Sequence, residues 1–155
     1  MSKHPGLSAR HPALRLVIAG HDGPARPEIE AAIARLPGGA RDRVVVAGPV
    51  SDAGRRALLE NATLLAYPSI YEGFGFPVLE AMTAGVPVVA ARAGSIPEVA
   101  GDAAVFCTPD TIGAGLDELW LARPELERKA RARAGELSWE ASARAHASVF
   151  AEVFR

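Results

Sequence analysis

Tyr67-Pro-Ser-Ile-Tyr-Glu-Gly-Phe-Gly-Phe-Pro-Val-Leu-Glu-Ala-Met-Thr-Ala-Gly-Val-Pro-Val-Val-Ala-Ala-Arg-Ala-Gly-Ser-Ile-Pro-Glu98 is the stretch that decides the fold. An apolar run, Leu64 to Tyr67, reads as a strand that Pro68 stops. Gly73 and Gly75 then form a loop. Pro77 opens a helix and Gly85 ends it, because Pro suits the first helical turn and Gly the position just past the last. Val86 to Ala90 follows as a second strand. The result is a βαβ unit with a glycine loop at a helix N-terminus. The first amides of a helix have no intrahelical partner, and with the dipole they make an anion site. Gly73 and Gly75 let the backbone approach such a ligand without a Cβ in the way. Glu72, just before the loop, and Glu80, near the end of the first turn, rim one pocket. Carboxylates there can accept hydrogen bonds from sugar hydroxyls. On spacing alone, Glu80 reads equally well as a residue complementing the helix dipole.

Working outward, Met1 to Pro12 is polar and reads as irregular or as a frayed helix remnant. Residues 13–155 read as one domain. Leu14 to Ala19 is a near-continuous apolar run, as in a strand covered on both faces. Gly20-His21-Asp22-Gly23-Pro24 is a turn. Glu28 to Leu36 is a helix ended by Pro37-Gly38-Gly39, and Val44 to Ala47 is a strand. Gly48-Pro49-Val50 is a tight connection to a helix that Ser51 or Asp52 caps and that runs to about Asn61. Ser95-Ile-Pro-Glu98 fits a capping box, so Glu98 reads more readily as structural than as a ligand. Ala103 to Phe106 is a short last strand. Asp110 is expected to cap a helix from about Thr111 to Leu121, Pro124 to open another, and Ser138 to cap the last. On that last helix Trp139, Ala143, Phe150 and Val153 share a face with His146. The alternation of β and α predicts a parallel sheet with helices on both faces, whose ligands sit at the carboxyl ends of the strands.

Composition narrows the class. At 155 residues and 49% apolar, the chain can bury a real core and is not disordered. A net charge of −1 gives no nucleic-acid footprint. The basic residues of Arg123 to Arg133 alternate with Glu125, Glu127 and apolar positions, as on a solvated helix face. Cys107 is the single cysteine, so no intramolecular disulfide forms, and a buried inert thiol is the expected reading. No apolar run is long enough to span a bilayer, and no signal peptide is read at Met1. The expected location is cytoplasmic, with peripheral contact at the inner membrane surface left open. A nicotinamide-type Rossmann oxidoreductase is disfavoured, because no Gly-x-Gly-x-x-Gly follows the first strand.

Glu72 and Glu80, with Gly-Phe-Gly-Phe-Pro between them, resemble the Glu-x7-Glu signature of family 4 glycosyltransferases of the GT-B fold. Tyr67-Pro-Ser, Glu80-Ala-Met, Gly85-Val-Pro-Val-Val and Pro97-Glu98 stand where that family has them. Upstream, Leu16-Val-Ile-Ala-Gly-His-Asp-Gly-Pro and Val46-Ala-Gly-Pro-Val fit as well. The resemblance runs from roughly Pro12 to the C-terminus. It implies the C-terminal, donor-binding half of a Rossmann-like GT-B fold, with its first central strand missing. It further implies retaining sugar transfer from a nucleotide diphosphate-sugar to a hydroxyl acceptor, as in polysaccharide or glycoconjugate biosynthesis. By that analogy Glu72 is the catalytic residue, which holds the donor sugar and stabilises charge near the reacting carbon. Val50, Gly73, Phe74, Gly75, Phe76, Leu79 and Glu80 bind the donor, Glu80 through the ribose. Neither a metal nor a cofactor is implied, and no Asp-x-Asp motif is present.

The departures from the family are equally specific. Its members carry an Arg and a Lys for the diphosphate after the first strand, and an N-terminal acceptor domain with its own histidine. Lys3 and Arg10 do not have that spacing, and Arg92 has no assigned role. The chain alone is therefore expected to be inactive. The alternative is a binding or assembly module that pairs with a separate N-terminal half or with a second copy. In a sheet ordered 3-2-1-4-5-6 the absent strand separates the Leu14 strand from the Leu64 strand. Direct closure of these two, or a distorted gap, is expected rather than a clean six-stranded sheet.

Overall fold

A computed structural model describes residues 6–154. Of the N-terminal stretch read as irregular, Met1 to Pro5 lie outside the described residues. The fold separates into two compact units, one ending at Ala57 and one starting at Leu58.

The first unit begins with one helical turn, α1 (Leu7–Arg10), which Arg43 ties down: its Nη1 donates to the Ser8 carbonyl at 2.9 Å. Two parallel strands follow, β1 (Leu16–Ala19) and β2 (Val44–Gly48), linked by α2 (Arg26–Ala34) and α3 (Gly38–Arg41). The Pro37-Gly38-Gly39 break ends α2 as expected but also starts the short α3, with Pro37 as its N-cap. The expected burial of the first strand is not met, since Leu16 is 52% and Val17 41% exposed. A two-stranded sheet offers little to cover them. α4 (Asp52–Glu60) leads out of this unit, and Ser51 caps it by accepting the Gly54 amide at 3.1 Å.

The second unit holds the core. β3 (Leu65–Tyr67), β4 (Val88–Ala91) and β5 (Ala104–Cys107) form a parallel sheet in that order, with Leu65 opposite Val88 and Val88 opposite Ala104. All four residues of the central β4 are buried. Side chains alternate across a strand. Val88 and Ala90 pack with Val78, Met82, Ile96 and Ala100 of α5 (Phe76–Thr83) and α6 (Ile96–Ala100). Val89 and Val105 pack with Leu119 and Leu126 of α7 (Ile112–Glu136). Helices thus cover both faces of a parallel sheet, a Rossmann-like arrangement as the alternation of β and α predicts. Gly115 permits the close approach of α7, because a Cβ there would meet Val89 Cγ1 at 3.2 Å. Arg133 reaches back from α7 to the Val99 and Glu98 carbonyls at 3.0 and 2.7 Å, closing the C-terminus of α6. Arg131 lies against Gly85, where φ is +76° and a Cβ would overlap its guanidinium.

Three helix-end expectations are corrected. Pro124 does not open a helix but lies inside α7, which continues through it. Asp110 is not the cap; Thr108 and Thr111 bond reciprocally around a 3₁₀ turn, Pro109–Thr111, that leads into α7. Ser95 and Glu98 make no capping box, because the Ser95 backbone is already helical and its hydroxyl is engaged elsewhere. Ser138 does cap α8 (Trp139–Val153), accepting the Ala141 amide at 3.1 Å. No residue of α8 is buried, and Trp139, Val149, Phe150, Val153 and Phe154 are exposed.

Among the described residues β1 does not pair with β3, so the expected direct closure is not seen. The strands form two separate sheets, β1–β2 and β3–β4–β5. The order within each is the one that 3-2-1-4-5-6 leaves when strand 1 is removed. Among the described residues no helix is long and apolar enough to cross a membrane. Leu119→Ala, in the fully buried core, is expected to cost about 2–5 kcal/mol in urea unfolding. Val17→Ala, on the exposed strand, should cost less than about 1 kcal/mol.

Candidate functional site

The site is the connection from β3 to α5. Gly75 is its pivot: at φ +87° it is the N-cap of α5, a left-handed conformation that glycine adopts without strain. It is buried against Ile96, whose Cγ1 would lie 3.2 Å from an added Cβ. Pro77 takes an early helical position, where its missing N–H costs nothing. Val78 and Leu79 amides close the first turn onto the Gly75 carbonyl. For the main-chain N–H groups of Gly73, Phe74, Gly75 and Phe76, no hydrogen-bond acceptor is found among the described residues. Phe74 and Phe76 are exposed and pack on each other, ring centroids 4.8 Å apart. Leu79 and Glu80 are half-buried on the first turn.

Glu72 is half-buried and does not stand alone. The Tyr67 hydroxyl donates to its Oε1 at 2.5 Å. Tyr67 is the last residue of β3, opposite Ala90, and its ring packs on the core. Burial, then the hydrogen bond to Glu72 and its charge, push the Tyr67 phenol well above the ordinary tyrosine value. The main chain of the same loop is held by the loop after β4. Gly94, at φ +51°, approaches so closely that a Cβ would overlap the Glu72 carbonyl oxygen. The Ser95 hydroxyl donates to the Gly73 carbonyl at 2.8 Å.

The structure brings Glu72, Gly73, Phe74, Gly75, Phe76, Leu79 and Glu80 onto one loop and one helical turn. Val50 lies in the first unit, half-buried on the connection from β2 to α4. Sequence reading missed Tyr67, Gly94 and Ser95 as supports of the site. A tyrosine ending a strand five residues before a glutamate was the available signal for the first. Cys107 is half-buried rather than fully buried, beside Phe106 and Thr108 in a hollow of about 390 Å³. Burial pushes its thiol up, which disfavours the reactive thiolate. In the same hollow the Arg92 guanidinium stacks on Phe106 at 4.3 Å. Among the described residues no group of three or more His, Cys, Asp or Glu is arranged to hold a metal ion.

Residues 2–120 match the family model described as glycosyl transferases group 1. The chain is 42% identical over 101 residues to the O-antigen chain mannosyltransferase B of Escherichia coli, an alignment covering 60% of this chain and 26% of that protein. It is 40% identical over 122 residues to the MMP alpha-(1->4)-mannosyltransferase of Mycolicibacterium hassiacum, covering 72% of this chain and 30% of that one. The crystal structure of Anabaena HepE in complex with UDP-glucose superimposes with a TM-score of 0.66 at 25% identity, over 79% of this chain and 36% of HepE. The chain thus spans only about a third of the length of these relatives.

Three outcomes test the geometry. In a Tyr71→Phe background Tyr67 is the only tyrosine, and its phenolate absorbance should appear only well above pH 10. Adding Glu72→Gln should move that titration downward, because the carboxylate charge that disfavours phenolate is gone. Gly94→Ala should destabilise the second unit by at least about 2 kcal/mol in urea unfolding, since both its φ and the Glu72 carbonyl oppose a side chain.

Proposed function

The chain belongs to the group 1 glycosyl transferases, and from that premise we propose that it is the donor-binding half of a retaining glycosyltransferase. Its donor is a nucleotide diphosphate-sugar and its acceptor a hydroxyl. One observation carries the reading: four consecutive amides, with no acceptor among the described residues, lead into α5 beside a carboxylate that Tyr67 holds. Amides at a helix start suit a diphosphate, and a fixed carboxylate suits the hydroxyls of the attached sugar. HepE, whose structure contains UDP-glucose, supports the donor class.

In this reading the Gly73 to Phe76 backbone meets the diphosphate or the transferred sugar, with Leu79 completing the pocket. Glu80 accepts the ribose hydroxyls. Glu72 holds the sugar and stabilises positive charge developing at its reacting carbon. Neither a metal nor a cofactor is invoked; cationic side chains would neutralise the diphosphate, and none here is assigned that role. Sugar transfer therefore requires groups beyond those assigned here, and the chain alone is proposed to be inactive. A cytoplasmic location, with peripheral contact at the inner membrane surface left open, belongs to the same reading. A second reading, an assembly module that pairs with a separate N-terminal half or with its own copy, is favoured by the open sheet edges: among the described residues β1, β2, β3 and β5 each pair with a strand on one side only.

Calorimetry with UDP-, GDP- and ADP-sugars should detect weak binding of at least one donor. Glu80→Ala should weaken it about tenfold or more, the loss of hydrogen bonds to a charged group. Robust binding indifferent to Glu80 would remove the assignment. With the bound donor and simple sugar acceptors, the chain by itself should give no transfer product. Light scattering after size exclusion separates the readings, since a strict monomer counts against self-pairing.

A further inference from the structure

We propose that Tyr67 is a positioning residue that sets the orientation of the Glu72 carboxylate and thereby the contribution of the donor's sugar to binding. The proposal rests on the reading of Glu72 as the sugar-holding group. Glu72 sits in a loop beside the exposed side chains of Ile70, Tyr71 and Phe74. A glutamate in such a loop samples many rotamers and loses that freedom when a ligand captures it. Tyr67 removes the freedom beforehand. Its ring is fixed by the β3–β4 register and by the core around Val88 and Ala90, so its hydroxyl is a stationary point of the sheet.

The hydroxyl donates to Oε1 at 2.5 Å, leaving Oε2 to accept from a ligand hydroxyl. A carboxylate has acceptor sites enough for the phenol and a ligand hydroxyl at once. The upward shift of the Tyr67 phenol agrees with it remaining the donor. The backbone of the loop is held independently by Gly94 and Ser95. Removing the Tyr67 hydroxyl therefore frees the side chain of Glu72 while its main chain stays in place.

The readout is the ratio of affinities for a nucleotide diphosphate-sugar and for the same nucleotide diphosphate. It is measured by calorimetry on the best-bound of UDP-glucose with UDP, GDP-mannose with GDP, and ADP-glucose with ADP. Tyr67→Phe should cut the ratio about tenfold and leave the nucleotide diphosphate affinity within about twofold. Glu72→Ala should cut the ratio at least as far. The double variant should go no lower than Glu72→Ala, because Tyr67 acts through Glu72. If Tyr67→Phe does not fold, Glu72→Asp serves, since it keeps the charge on the exposed loop but draws it back from the phenol; it should lose the same contribution. An unchanged ratio in Tyr67→Phe or Glu72→Asp, while Glu72→Ala lowers it, overturns the positioning role alone, as do additive losses in the double variant. An unchanged ratio in Glu72→Ala overturns the sugar-holding reading and the proposal together.

Discussion

The second unit depends on one close approach, that of Gly94 to the Glu72 carbonyl. Two loops at the same end of a parallel sheet, after β3 and after β4, are interlocked there. The contact leaves no room for a Cβ, and the Ser95 hydroxyl fastens the next carbonyl, that of Gly73. With their carbonyls held on one side, the loop residues lead into α5 through a left-handed Gly75. Loops that carry function are usually the mobile part of a domain. Here the loop is framed by a buried strand, a tyrosine hydroxyl and a neighbouring loop, so its conformation is fixed in advance of any ligand.

The packing behind the loop serves the same end. β4 is buried on both faces, with α5 and α6 on one and α7 on the other. α7 contributes beyond its apolar side chains. Arg133 satisfies carbonyls at the end of α6, Arg131 lies against the end of α5, and Lys129 pairs with Asp102 at 3.0 Å before β5. Positive charge at helix C-termini favours the dipoles that run toward the loop. The first unit is different in character. Its two strands keep apolar residues in contact with solvent, and each of its described strands pairs only with the other.

Pro124 shows why local rules misplaced a helix boundary. A proline interrupts the hydrogen-bond ladder and disfavours a helix interior. Leu119 and Leu126 on either side of it are both buried in one core face, and that shared burial keeps the helix continuous. Ser95 shows the same competition at a side chain. Its spacing to Glu98 is that of a capping box, yet its hydroxyl serves the Gly73 carbonyl, 22 residues earlier in the chain. A pattern of four residues carries no information about an acceptor that folding brings in from elsewhere.

By itself the sequence determined the βαβ unit, the glycine loop, the carboxylates at positions 72 and 80 and the family to which they point. These are local: Pro77, Gly75 and Gly85 fix backbone geometry within a few residues. Tertiary structure alone decided that the strands separate into two sheets, that β1 is exposed, and that Tyr67, Gly94 and Ser95 support the loop. Strand pairing and the approach of one loop to another depend on distances between residues remote in the chain, and residue spacing along a sequence does not encode those distances.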